Sequence, residues 1–598
     1  MTSLWLTAAG VAALWWAGSA AADLGIYSDR ENFTAYADSQ DGFPSQTFRS
    51  SDIVAPVFQV NSWDRAHADA APYLFLGTVY GHMKAGPMIF DAGDLSLVYA
   101  DQRYDNTYCS NVQVIGGTRY MIFWEGVHNR GHASGHCLVY DENYRLRYNV
   151  TAQGLHGRAL ADMHEMMFTP DETIVFSTYF NIPYDCRAVG GPEEALLMDS
   201  GFQEVDPETN KVLFEWNASD HFDIADSFAR YDEVYGVTPD SGFDFFHINS
   251  IEKTSDGNYL VSSRHLSALT LVDGKDGHPI WILGGKRNQF EDLSNGTATN
   301  FGWQHDARFY HNQSHITMFD NHGEVTGNCE GECESRGLHL EIDSVGMTAR
   351  VVREYFHPES INSGAMGGLQ QLESGNVMIG WGYSPGFVEY KSDGTPVMDV
   401  QRGKIGVESL ADMFAYRVYK HQWKGKPTWP PSAAVDAPSR TTLNATVYLS
   451  WNGATDVKSW AVLAAGNATA INNYRNLIAE APRRGFETAI HLGANATRRY
   501  IGAAALAADG TVLGSTSVID MESGLPVATA SDITSIRAPR KARLGATRIQ
   551  VGGATRIRMA GAIFALAVVV YAANHRVWRR KARRDTERAM YTEIGMAG

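Results

Sequence analysis

Three short segments each carry a histidine among polar and apolar neighbours: Asp162-Met163-His164-Glu165, Phe246-His247-Ile248-Asn249 and Trp303-Gln304-His305-Asp306. Imidazole suits both nucleophilic attack and proton transfer near neutral pH, so histidines brought to one point form a reaction centre. Arg264 follows His247 by seventeen residues, within Ser262-Ser263-Arg264-His265. That interval fits a strand, the Thr254-Ser255-Asp256-Gly257 turn and a second strand, which brings Arg264 back beside His247. A guanidinium there offers a rigid, permanently charged fork for an oxyanion.

The elements that must position these groups are read from a recurring hairpin: an apolar residue or two, an Asp, a polar turn and another apolar strand. Six copies occur: Ile89-Phe90-Asp91 to Tyr99, Val139-Tyr140-Asp141 to Tyr148, Val205-Asp206 to Trp216, Val272-Asp273 to Leu283, Ile342-Asp343 to Tyr355, and Glu389-Tyr390 to Val400, where Lys391 displaces the Asp. A further alternating strand precedes each, at Tyr73–Gly77, Met121–Trp124, Ile174–Thr178, Tyr259–Ser262, His315–Phe319 and Val377–Trp381. A lone four-stranded unit cannot bury both faces without neighbours, so the pattern predicts an all-β fold with a six-bladed β-propeller over residues 23–427. The competing arrangement is a large sandwich of unrelated hairpins. In a propeller the innermost strands line one channel, where the three histidines would meet.

Aromatic residues at 11% and 57 glycines suit short strands joined by turns. Residues 428–439, rich in Pro, Ala and Ser, read as a linker. Short strands at 446–451, 460–464, 487–492, 500–507 and 512–518 then predict a small β-sandwich of the fibronectin kind over 440–525. The basic stretch 526–556 reads as a stalk.

Residues 1–22 hold an apolar run from Leu4 to Ala17 and close on Ser19-Ala20-Ala21-Ala22, which predicts a cleaved signal peptide. Eight Asn-X-Ser/Thr sequons, at Asn32, Asn149, Asn217, Asn295, Asn312, Asn444, Asn467 and Asn495, agree with export and N-glycans. Residues 557–578 predict a single C-terminal transmembrane helix, snorkelling at its ends and followed by a basic cytosolic tail, 579–598. The body would then lie outside the cell or in the lumen. Among the five cysteines, Cys109 with Cys137 and Cys329 with Cys333 are expected as disulfides, leaving Cys186 over.

The chain carries a net charge of −17, and its last 42 residues hold eight basic groups against three acids. The body is therefore strongly acidic, which argues against nucleic acid as a partner. Gly284-Gly285-Lys286 lacks the earlier Gly and the Ser/Thr of a phosphate-cradling loop, and no cysteine stands in a Cys-x-Pro-x-Arg run. His128, His132 and His136 have the spacing of zinc ligands on one helix face, but Gly126, Gly131 and Gly135 point instead to a glycine-rich surface loop. Asp320-Asn321-His322 and the acids of 330–334 read as solvated loop groups.

The stretches Asp244-Phe-Phe-His247-Ile-Asn249, Ser262-Ser-Arg264-His265 and Trp303-Gln-His305-Asp-Ala resemble the arylsulfotransferase family, the branch that takes sulfate from a phenolic ester rather than a nucleotide. Gly375-Asn376-Val377 and Gly380-Trp381-Gly382-Tyr383 resemble its fungal members. The resemblance covers about residues 70–420. It implies an aryl sulfate donor, a phenolic acceptor, and a sulfohistidine on His305. It also implies that His247, Asn249 and Arg264 hold the sulfuryl oxygens and that His164 assists with sulfate or protons. Neither a metal nor a cofactor is required by that chemistry. The rival from another class is a non-catalytic cell-surface propeller that docks glycans or proteins in the same funnel.

Overall fold

The computed structural model describes residues 23–80, 83–129, 131–155, 160–322, 334–405, 413–436, 445–492 and 498–537. The expected signal peptide, the expected Cys329–Cys333 disulfide, Asn444, Asn495 and the expected membrane segment and cytosolic tail lie outside these residues. Among the described residues, no helix is long and apolar enough to cross a membrane.

The fold is all-β; among the described residues there is one α-helix, the nine-residue Arg30–Asp38, capped by the Asp29 side chain. Antiparallel meanders follow one another from residue 73 to 421; those of Thr107–Val150 and Ala161–Asn217 are joined through Ala161 and Gly135 into one nine-stranded sheet, and short parallel strands edge two of the sheets. The recurrent Asp has a physical reason: its carboxylate accepts a backbone N–H two or three residues on and so closes the outer hairpin turn. Asp91 takes Gly93, Asp141 takes Asn143, Asp206 takes Thr209, Asp273 takes Lys275 and Asp343 takes Val345, all at 2.7–2.9 Å. In the sixth copy the task moves to Asp393, which takes Thr395 at 2.9 Å.

One strand of each meander faces the shared centre. These are β1 (Thr107–Ile115), β2 (Ala161–Phe168), β3 (Ile248–Lys253), β4 (His305–Tyr310), β5 (Gly368–Gln371) and β6 (Met413–His421). β6 pairs with Tyr73–Tyr80, so the far end of this region completes the sheet with which it began. Register breaks interrupt β1 between Tyr108 and Asn111, β2 between Ala161 and Met166, β3 between Ile248 and Ser250, β4 between His305 and Arg308, and β6 between Ala415 and Val418. Such bulges turn side chains out of the regular alternation and aim them at the centre.

A buried ionic layer ties the strands there. Arg417 lies 3.2 Å from Glu165 and 3.4 Å from Asp306, and its Nη2 donates to the carbonyls of His164 (3.2 Å) and Asn249 (2.9 Å). Arg308 closes the square, 2.5 Å from Glu165 and 2.9 Å from Asp306. Burial alone would raise the Glu165 carboxyl, yet Arg308 and Arg417 hold it below its ordinary value. A Cβ on Gly368 would meet the Asp306 carboxylate at 2.5 Å, so only glycine lets β5 approach this layer.

Cys109 and Cys137 are buried free thiols, as is Cys186, and the expected bridge does not form. β1 and the strand His132–Tyr140 flank Thr118–Asn129, which puts the two cysteines two strand spacings, roughly 9–10 Å, apart. That exceeds the ~7 Å limit between bridged Cα atoms. Cys109 instead points its thiol at the Met163 carbonyl, 3.3 Å away, and burial pushes its pKa up to about 12.

Beyond residue 430 two sheets face each other, one of Ser432–Asp436, Ala445–Ser450 and Thr488–Leu492, the other built on Ser459–Ala465 and Tyr500–Leu506. Val447, Leu449, Trp460, Val462, Ile490 and Ala503 share the core between them. The expected linker therefore contains a strand, because Ser432–Asp436 pairs residue for residue with Thr446–Ser450. The expected stalk also starts too early: Leu525–Ala530 is a strand, and Ile533 and Ile536 are buried.

Replacing Arg417 with Ala would leave Glu165 and Asp306 to share Arg308 alone and take the buried donor from the His164 and Asn249 carbonyls, a loss of about 3–5 kcal/mol. Urea unfolding checks this, and an unchanged midpoint would show that the layer contributes little. Unfolded without reductant, the protein should label with maleimide at Cys109, Cys137 and Cys186.

Candidate active site

On one side of the ionic layer the inner strands open into a cavity of about 370 Å³. His164, His247, Arg264 and His305 line it together with His128, His132, Asp244 and His265, and Met163, Met198, Tyr235, Met366, Tyr383 and Tyr416 supply its apolar wall. The His164 and His247 rings lie 4.8 Å apart edge to face, and those of His247 and His265 lie 4.6 Å apart. His247, Trp303, Asp306 and Met366 all have positive φ, from 54° to 63°. That region costs energy for residues with a side chain, and its clustering here marks a site whose geometry is imposed by its surroundings.

Each of the three central imidazoles is held through Nδ1. His164 meets Asp162 Oδ1 at 2.6 Å, His247 meets Asp244 Oδ2 at 2.5 Å, and His305 meets Asn321 Oδ1 at 2.7 Å. Asp162 is fully buried and also accepts from the Ala133 amide and the Ser177 hydroxyl. Its burial opposes ionisation, but the His164 charge and these hydrogen bonds bring it down to about 2. Burial raises Asp244 despite the cationic groups around it. Burial, with neighbouring positive charge from His164 and Arg264, holds His247 well below the ordinary histidine range. Burial and then Arg264 do the same for His305.

The Arg264 amide donates to the His247 carbonyl at 2.9 Å, which closes the expected hairpin and sets both side chains in one cavity. The guanidinium stacks on Trp303, 4.0 Å from the ring centre, and donates to His265 Nε2 (2.8 Å) and the Gly364 carbonyl (3.2 Å). Burial lowers its pKa to about 10, so it stays charged at neutral pH. His265 Nδ1 donates to the Asp244 carbonyl at 2.5 Å, leaving Nε2 as the acceptor that orients Arg264.

Asn249 does not join the others at the cavity wall. It is fully buried, and its Nδ2 donates to the Gln304 carbonyl at 2.6 Å, bracing the residue before His305. His128 and His132 lie on the facing strands Thr118–Asn129 and His132–Tyr140, a hairpin rather than the expected loop, and both reach the cavity. His136 turns away to Asn149, at 2.8 Å. Asp320 and Asn321 are likewise buried rather than solvated; Asp320 pairs with Arg336 at 2.8 Å and with His322 at 2.9 Å.

Asp162, Asp244, His265 and Asn321 went unassigned in the sequence. For two of them a signal was present, since Asp162 stands two residues before His164 and Asp244 three before His247. Asp244, His247 and His265 come close enough to hold a cation, with candidate ligand atoms within 4.8 Å of one another. His247 Nδ1 and both nitrogens of His265 are already engaged with Asp244 and Arg264, however, and the adjacent guanidinium repels a second positive charge.

The family model described as Arylsulfotransferase (ASST) matches residues 111–403. No curated protein matches the chain. Solved structures similar to it include a Bacteroides caccae protein of unknown function, 15% identical with a TM-score of 0.34 over 58% of this chain and 97% of the other. Kuenenia stuttgartiensis hydrazine synthase is 10% identical, with a TM-score of 0.30 over 53% and 73%. BamB from Moraxella catarrhalis is 8% identical, with a TM-score of 0.24 over 67% and 97%.

The Asp162 carboxyl, ordinarily near 3.8, is held near 2 in the folded protein. A depressed acid stabilises the fold above its unfolded pKa. Its contribution, roughly 2 kcal/mol, should be complete above about pH 4 and drain away as pH falls toward 2. The difference in urea midpoint between wild type and Asp162→Asn, followed from pH 6 downward, should shrink over that window.

Proposed function

We propose, from the match of residues 111–403 to the arylsulfotransferase family model, that the histidine-lined cavity transfers a sulfuryl group from a phenolic sulfate ester to a phenolic acceptor through His305. The observation that supports this most directly is the arrangement of His305: its Nδ1 is tied to Asn321, its Nε2 keeps a lone pair that meets only a long, 3.3 Å contact from the Met366 amide, and the charged Arg264 shares the cavity.

In the first half-reaction His305 Nε2 attacks sulfur while the S–O bond to the aryl group breaks. The departing phenolate keeps that electron pair and takes a proton from an imidazole. His164 is placed for this, because the ionised Asp162 at its Nδ1 stabilises the imidazolium that carries the proton on Nε2. Arg264 meets the non-bridging oxygens, and His247 joins it as a donor through Nε2 once the bound anion draws a second proton onto the ring whose Nδ1 faces Asp244; fixed donors in a dry site favour the transition state over bound water. Tyr235, Tyr383, Tyr416 and the three methionines give the aryl ring flat and polarisable walls. In the second half a phenol gives its proton back to His164 and attacks sulfur. The N–S bond breaks and His305 leaves neutral. Asn249 acts in this scheme by holding the Gln304 carbonyl, and through it the backbone that presents His305.

As part of the same proposal, the meanders are the blades of one six-bladed propeller. The protein is exported behind residues 1–22, glycosylated, and held in a membrane by residues 557–578. The exposure of Asn32, Asn149, Asn295, Asn312 and Asn467 supports glycosylation, and Asn217 is half-buried.

With 4-nitrophenyl sulfate as donor and phenol in excess, release of 4-nitrophenolate should depend on the acceptor and yield phenyl sulfate by mass spectrometry. His305→Ala should abolish it. Arg264→Lys should lower kcat/KM by about 10²-fold or more, since a point charge does not replace the fork. Absence of release from folded protein across several donors would turn the reading toward a propeller that only binds.

A further inference from the structure

The geometry points to Asn321 as the positioning residue that fixes which nitrogen of His305 meets the substrate and keeps that ring free of a carboxylate partner. This rests on the transferase reading for its kinetic consequence, but not for its structural one.

The orientation of the Asn321 amide is set independently of His305. Its Nδ2 donates to two backbone carbonyls, of Ser363 at 2.7 Å and Met366 at 2.9 Å, so both N–H bonds are used. Oδ1 is then the atom facing His305 Nδ1, and a carbonyl oxygen only accepts. The imidazole proton must therefore sit on Nδ1. A second contact agrees: the Met366 amide N–H points at Nε2 from 3.3 Å, a donor meeting a lone pair. Residues 363–366 thus hold Asn321 and meet the ring it orients.

His305 differs in this from its neighbours. His164 and His247 each set Nδ1 against a carboxylate, whereas His305 has a neutral amide in that place. The groups that face it from the packed elements are His164 on β2, His247 ahead of β3, Arg264 and Tyr416. Asp306, next in sequence, is drawn into the ionic layer by Arg308 and Arg417, and Asp320, beside Asn321, is taken by Arg336.

The chemical consequence follows from where the charge goes. When the Nε2–S bond forms, the ring becomes a sulfoimidazolium with its proton still on Nδ1. A carboxylate there would pair with that charge and make the ring a poorer leaving group from sulfur. It would also favour protonation of the resting ring and remove its lone pair. A neutral amide orients the ring and does neither.

Asn321→Asp should therefore move the acid limb of the kcat/KM profile upward by about one pH unit or more. Asn321→Leu, which removes the acceptor and takes one donor from each of the Ser363 and Met366 carbonyls, should lower kcat far more than it changes KM. An acid limb in Asn321→Asp that coincides with wild type, in protein of unchanged circular dichroism, would overturn the inference. A measurement on the unaltered full-length chain guards against variants that fail to fold. In protein labelled with 15N-histidine, the His305 signals, identified by their loss in His305→Gln, should show the proton on Nδ1 and a bare Nε2. A proton on Nε2 would overturn the inference as well. If wild type transfers no sulfate, the transferase reading falls, while the tautomer still decides the role of Asn321.

Discussion

One guanidinium, that of Arg417, sits where the inner strands meet. It answers two buried carboxylates, on β2 and β4, and two backbone carbonyls, on β2 and β3. Four strands that share no sheet through these contacts are thereby fixed to one another at a point. The carbonyls it holds belong to His164 and Asn249, and the carboxylates belong to the residues following His164 and His305. A buried ion pair of this kind contributes little net stability against a well-packed apolar layer. Its effect is positional, because three of the four groups it meets belong to His164 itself or to the residues directly following His164 and His305 in the cavity above.

The bulges complete that control. A regular strand alternates its faces, so consecutive residues cannot both address the centre. Where the register breaks, at 108–111, 161–166, 248–250, 305–308 and 415–418, consecutive residues do. His164 with Glu165, His305 with Asp306, and Tyr416 with Arg417 each give one residue to the cavity and the next to the ionic layer. The strained φ angles at Trp303 and Asp306 are the local cost of that division.

Much of this was legible in the sequence. The recurrent Asp could be seen because a turn of that shape needs a side-chain acceptor at a fixed offset, and the structure shows it accepting in five copies, with Asp393 taking the task in the sixth. The Arg264 to His247 interval could be counted because one hairpin spans it. Asn321 could not be found that way. It reaches His305 across a hairpin sixteen residues on, and an amide carries no mark of its partner. The expected Cys109–Cys137 bridge failed for a related reason: closeness in a meander was taken for contact, while an intervening strand holds the two apart. The linker failed because Pro, Ala and Ser describe composition, and Ser432–Asp436 finds its ladder only through Thr446–Ser450.

The pairing of β6 with Tyr73–Tyr80 has a consequence for how the protein comes into being. A ribosome delivers the chain from residue 1 onward, and the first sheet waits for its central strand until some 340 further residues have been made. Tyr416 and Arg417 arrive with that strand. Nascent or truncated chains can therefore hold every histidine of the cavity and still lack the tie that sets them. The cavity is complete only once the last inner strand has docked.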